Sequence, residues 1–141
     1  MKGWHWLDNN GLLWDGTEPP PDGEWLIHDG DLYMCREGLH YSKRLIDALQ
    51  YAPGNVLCRV ECRGEQEHQD DKSVCTQRRI LWRVTVPDEV LRRFARRCAL
   101  DVVHLPWLRP MLSPWPAAYT RFNRRLTSMV MAEARRQGVQ R

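Results

Sequence analysis

Lysine is scarce in this chain. Of 21 basic residues only three are Lys and the rest are Arg. Positive charge is thus carried by planar guanidinium forks, suited to carboxylates, phosphates and aromatic faces. No run approaches the roughly 20 apolar residues of a membrane span, which excludes a spanning helix. The start, MKGWHWLDNN, has no apolar core of a secretory signal, and none is expected. No Cys-x-x-Cys pair occurs among the five cysteines, so the common spacing of structural zinc sites is missing. An odd cysteine count fits reduced thiols and a cytoplasmic protein. Internal repeats and low-complexity tracts are also absent, which excludes a solenoid.

Hydrophobic residues make up 43% of the 141, seven of them Trp, and this composition argues for a packed core. The length suits one domain over residues 1–141. Charge is polarised along it. Residues 1–70 hold 6 Lys/Arg against 13 Asp/Glu, and residues 71–141 hold 15 against 5. Two mutually attractive halves account for this, as does a basic face with a macromolecular partner.

The most clearly patterned stretch is Gly38–Gly54, GLHYSKRLIDALQYAPG. Gly38 suits a turn with φ > 0. Ser42 is the expected N-cap of a helix over 43–51, with Leu45, Ile46 and Leu49 as its apolar stripe. Pro53 and Gly54 stop it. A strand follows at 55–63, with Val56, Cys58, Val60 and Cys62 on one face and Leu57, Arg59 and Glu61 on the other. Upstream, Gly3–Leu7 reads as a strand that a turn at Asp8–Gly11 returns as Leu12–Trp14. Thr17–Gly23 is a loop. Glu24–His28 and Asp31–Cys35 complete a small antiparallel meander.

Downstream, 65–72 reads as a polar turn, and Ile80, Trp82, Val84 and Val86 alternate as a strand. Pro87-Asp88-Glu89 opens a helix near 88–103. Its expected buried stripe is Val90, Leu91, Phe94, Ala95, Cys98 and Val102. Leu105–Pro116 is an apolar, proline-interrupted connection. A last helix over 117–137 buries Tyr119, Phe122, Leu126, Met129 and Val130, and Gly138 ends it. The expected fold is α+β: a mostly antiparallel sheet of five or six strands over 1–86, the inserted helix 43–51, and a basic part, 87–141, with two longer helices.

Several pieces resemble a family of small phage, prophage and mobile-element proteins. They are Trp4-His5, Cys35–Ser42 (CREGLHYS), Asp47–Glu61 (DALQYAPGNVLCRVE), Asp71-Lys72, Arg79–Trp82 (RILW), Phe94–His104 and, more weakly, Asn123–Thr127. Tyr41 departs from the GLHAS common in such families. The resemblance implies a genomic setting rather than a reaction. It implies a bacterial host cell, with a host protein or nucleoprotein complex as partner and inhibition of host defence as the activity, an anti-CRISPR-like protein being its most concrete form.

Five candidate sites follow from the residues. In the binding reading, the Arg surfaces of the late helices make the contacts: Arg92, Arg93, Arg96 and Arg97, then Arg121, Arg124 and Arg125, followed by Arg135 and Arg136. Trp107 and Trp115 add stacking, and nucleic acid is a further possible partner. The second site is similar to that of ADP-ribosyltransferases. His5 lies on the first strand, and His40-Tyr41-Ser42 precedes a helix that ends in Tyr51-Ala52. The late catalytic Glu of those enzymes has no counterpart, since Glu89 and Glu133 both read as helical. A third candidate pairs Cys35 with His40 as nucleophile and base. A fourth, zinc on the cysteines, fails for Cys58 and Cys62, which lie about 13 Å apart along a strand at roughly 3.3 Å per residue. No metal and no cofactor is expected. The fifth is a protein interface at 105–116 and the last helix.

Overall fold

The computed structural model describes residues 1–104 and 116–140, with only the backbone at Val102, Pro116 and Ala117. In chain order come strands β1 (Lys2–Leu7), β2 (Trp25–Ile27) and β3 (Leu39–Tyr41), helix α1 (Leu45–Leu49), strands β4 (Val56–His68) and β5 (Ser73–Thr85), and helices α2 (Asp88–His104) and α3 (Pro116–Arg136). The fold is α+β: an antiparallel sheet, one short inserted helix and two longer C-terminal helices.

β4 and β5 form a long hairpin whose alternation sorts two cores. Val56, Cys58, Val60 and Cys62 face one, with Leu7, Tyr41 and Cys75. Leu57 faces the other, where Trp4, Trp6, Val84 and Val86 meet Leu45, Phe94, Phe122, Leu126 and Val130 of the helices. β1 pairs with β4, setting His5 opposite Cys58. β2 and β3 both pair with the far edge of β5, at Gln77–Arg79 and Ser73–Cys75. The chain leaving β3 then reaches β1, where Trp4 and Ser42 exchange backbone hydrogen bonds of 2.8 and 2.9 Å. The sheet therefore curls until its two ends touch along a seam. Such closure pairs edge groups that would otherwise be left open, and side chains fill the inside.

Several expectations are corrected. Leu12–Trp14 is not a strand. Asp8 Oδ1 accepts from the N–H groups of Asn10 and Leu12 at 2.8 and 2.9 Å, and Leu13 N–H bonds the Thr17 carbonyl at 2.9 Å. These turns use the groups a ladder needs. Asp31–Cys35 is a turn region too, with Tyr33 bridging Glu37 and Cys35 at φ 67°. The meander is thus replaced by long-range pairing to β4 and β5. Residues 65–68 extend β4, because Gln66, Glu67 and His68 pair with Cys75, Val74 and Ser73. Between Arg59–Trp82 and Val60–Ile80 the register slips by one residue. This bulge turns Ile80 into the curl, while Trp82 and Val84 pack toward the helices.

Ser42 does not cap α1: the N-cap is Arg44, without a side-chain cap bond, and Ser42 lies buried at the seam. α1 is shorter than 43–51. Ala95 is exposed rather than buried on α2. The stripe of α3 holds, with Phe122, Leu126 and Val130 buried and Met129 beside them. Gly138 takes φ 76°, and Val139 N–H returns to the Ala134 carbonyl at 3.0 Å, ending the helix. The connection expected at 105–116, with Trp107 and Trp115, falls on residues 105–115, outside the described ones.

Candidate functional site

Beside the seam between β1 and β3 lies a cavity of about 350 Å3. Its wall is largely aromatic, with Trp4, His5, Trp6, Trp14, His40, Tyr41 and Tyr51 among the lining residues. β1 supplies three of these in succession, because the cavity meets the strand along its edge. Gly38 makes the turn that brings in His40: its φ is +105°, and a Cβ there would collide with the Val74 and Leu32 side chains. α1 then carries Ala48, Tyr51 and Pro53 to the wall. Gly54 lets the chain pass the backbone of Asp8 and Asn9, where a Cβ would clash. Cys35, Arg36 and Lys72 complete the mouth. Pieces far apart in the chain, namely Trp4-His5, Cys35–Ser42, Tyr51–Pro53 and Lys72, converge here.

The imidazoles are held neutral. Burial lowers the His5 pKa well below the usual value, and the Arg78 guanidinium and His40 add to the effect. Burial lowers His40 as well, again with help from Arg78. His40 Nε2 accepts the Cys35 backbone N–H at 2.9 Å, which requires an unprotonated nitrogen. The Cys35–His40 pair therefore departs from a nucleophile and base: the ring holds the Cys35 backbone, while the Cys35 thiol meets Lys72 Nζ at 2.7 Å. Burial pushes the Tyr41 hydroxyl up to about 12. That hydroxyl donates to Gln66 Oε1 at 2.7 Å, and Tyr41 lines the cavity.

Two enclosed polar atoms in these walls, His5 Nε2 and Trp6 Nε1, have no hydrogen-bond partner among the described residues. An unmade bond of this kind costs about 1–3 kcal/mol. Indole N–H only donates, and a neutral imidazole nitrogen donates or accepts. Both atoms are enclosed, and as consecutive residues of β1 they lie on opposite faces of the strand. No group of acidic, His and Cys residues able to hold a metal ion occurs among the described residues.

Sequence reasoning singled out His5, His40, Tyr41 and Tyr51, and the fold brings them together. It missed Arg78, which is 5% exposed and whose Nη1 donates to the His40 carbonyl. It also missed Trp14. Neither a charged pair inside a strand nor a Trp in a turn announces a site, whereas Arg36 and Lys72 lay in matching pieces of the resemblance. Glu89 and Glu133 stand on helices, bonded to Arg96 and Arg136. Asp71, which accepts a short hydrogen bond from Tyr51, is a carboxylate tied to the cavity wall.

The arginine surfaces are partly used internally. Arg121 and Arg125 both reach Asp101, at 3.1 and 2.7 Å, and so tie α3 to α2. Arg92 and Arg96 pair with Asp88 and Glu89 at 3.9 and 2.7 Å. All four arginines of α2 are exposed, as is Arg124.

A curled antiparallel sheet carrying a largely aromatic cavity at its seam defines this protein structurally. Residues 10–92 match the model of a domain of unknown function, DUF7666, and the chain belongs to that family. No curated protein and no solved structure matches the chain. No helix among the described residues is long and apolar enough to cross a membrane.

Proposed function

We propose that the protein is ADP-ribosyltransferase-like and binds a nicotinamide nucleotide in the seam cavity. One observation carries this reading: His5 from the first strand, His40-Tyr41-Ser42 and Tyr51 line a single cavity. Aromatic walls suit a flat heterocycle. No carboxylate lines the cavity among the described residues, so the reading is one of binding first, with Asp71 as the acid within reach of Tyr51. Calorimetric titration of the folded chain with NAD tests it, with released nicotinamide followed by chromatography. NAD is expected to bind, and His5→Ala, which removes a ring from the cavity wall, to weaken it about tenfold. Absence of NAD and nicotinamide binding up to millimolar concentration sinks the reading.

A second reading concerns the genomic setting: a phage- or mobile-element-type protein that inhibits bacterial defence by binding a host protein or nucleoprotein complex. The exposed row Arg92, Arg93, Arg96 and Arg97 on α2 supports it. Arg97 forms no ion pair among the described residues, so its charge is available to a phosphate or carboxylate.

A further inference from the structure

Trp14, Arg36 and Lys72 line the cavity and are not used by the ring pocket. Trp14 lines the cavity yet is 84% exposed. Its turn is braced, since Asp15 Oδ1 accepts from the Thr17 N–H and hydroxyl at 3.0 and 2.7 Å. An indole held out in water gains no burial in the free protein. Tyr51 is 50% exposed, with its hydroxyl on Asp71 and Lys72 Nζ 5.3 Å from its ring centre. Arg36 completes the rim. Exposed ring faces beside two cations are the chemistry that holds a base and its phosphates.

We propose that Trp14, Arg36, Tyr51 and Lys72 form a subsite at the cavity mouth for the nucleoside diphosphate part of a nucleotide. This rests on the nucleotide reading of the cavity and adds where the phosphates and second base lie. A diphosphate there draws Lys72 away from Cys35 Sγ and covers the thiol. Cys35 is exposed, Cys58, Cys62 and Cys75 are buried and Cys98 is half-buried on α2, so alkylation mapped to the Cys35 peptide reports on the mouth.

The test uses the full chain with ADP, nicotinamide and NAD as separate probes. Affinity is read by calorimetry, and Cys35 alkylation by iodoacetamide is read by peptide mass spectrometry. ADP is expected to bind and to slow alkylation at Cys35. Trp14→Ala and Lys72→Ala are each expected to weaken ADP and NAD about tenfold, with a smaller effect on nicotinamide. Both side chains are at the surface, and unchanged melting temperatures confirm the fold. If ADP fails to bind and both variants hold NAD as tightly as the parent, the mouth subsite is overturned and the ring pocket stands. If ADP binds but nicotinamide does not, and NAD is no tighter than ADP, the ring pocket falls and the subsite stands. Failure of all three probes overturns both.

Discussion

His5 and His40 sit where pH acts on single residues. Both have folded-state pKa values below the unfolded value of about 6.5, chiefly through burial. Below that pH the unfolded chain takes up protons that the folded chain refuses, so acid favours unfolding. Their contribution is complete above about 6.5 and is lost as pH falls toward the folded values. The carboxylates lowered by arginine partners, Glu61 by Arg79 and Asp101 by Arg125, titrate further down and leave this window clear. The urea midpoint is expected to drop between pH 7 and 5.5, and to drop less when His5 and His40 are both replaced by Gln. Equal drops in parent and variant would mean that the imidazoles are not the groups responsible. At this scale the sequence announced the imidazoles but not Arg78. A buried guanidinium inside a strand looks, in sequence, like any exposed one.

At the scale of elements, α1 raises the question of what holds a helix of five residues, which is far too short to persist alone. The answer is Asp47, 2% exposed, which accepts from Arg44 Nε at 2.6 Å and from the Tyr119 hydroxyl of α3. Asn123 of α3 also accepts the Ile46 N–H at 3.0 Å. Asp47→Ala is expected to cost about 2–3 kcal/mol, and Tyr119→Phe about 1 kcal/mol, in urea unfolding. The double variant should cost less than their sum, since one bond is counted in both. Strict additivity would show that the contact contributes nothing. α1 also positions Tyr51 and Pro53, so Asp47→Ala should weaken NAD as well. The apolar stripe of α1 was legible from its spacing. Its anchor was not, because the partner lies 72 positions away.

For the whole molecule, surface charge and the seam cavity are separable. Changing Arg92, Arg93, Arg96 and Arg97 to Glu removes two surface ion pairs, Arg92–Asp88 and Arg96–Glu89. Exposed pairs are worth about 0–1 kcal/mol each, so melting should change little. The four changes should abolish retention of a host macromolecule if α2 is the contact, and should leave NAD affinity unaltered. Retention that survives them rules α2 out as the contact. Arg121 and Arg125 make poorer reversal targets, since both already hold Asp101 across the two late helices.

The sequence by itself determined most elements and several of their faces: β1, the alternation of β4, the stripe of α3 and the ends of α2 and α3. These depend on local periodicity, capping and breakers, which act within a few residues. Tertiary structure decided the rest. Whether Asp31–Cys35 forms a strand, where β2 and β3 attach, how the bulge redirects Ile80, and the closure of β3 onto β1 depend on which distant edge supplies backbone partners. Periodicity carries no record of that choice. The cavity belongs to the same class. It exists because Trp4 bonds Ser42, 38 positions further along the chain, and only that seam sets His5, His40, Tyr41 and Tyr51 around one space.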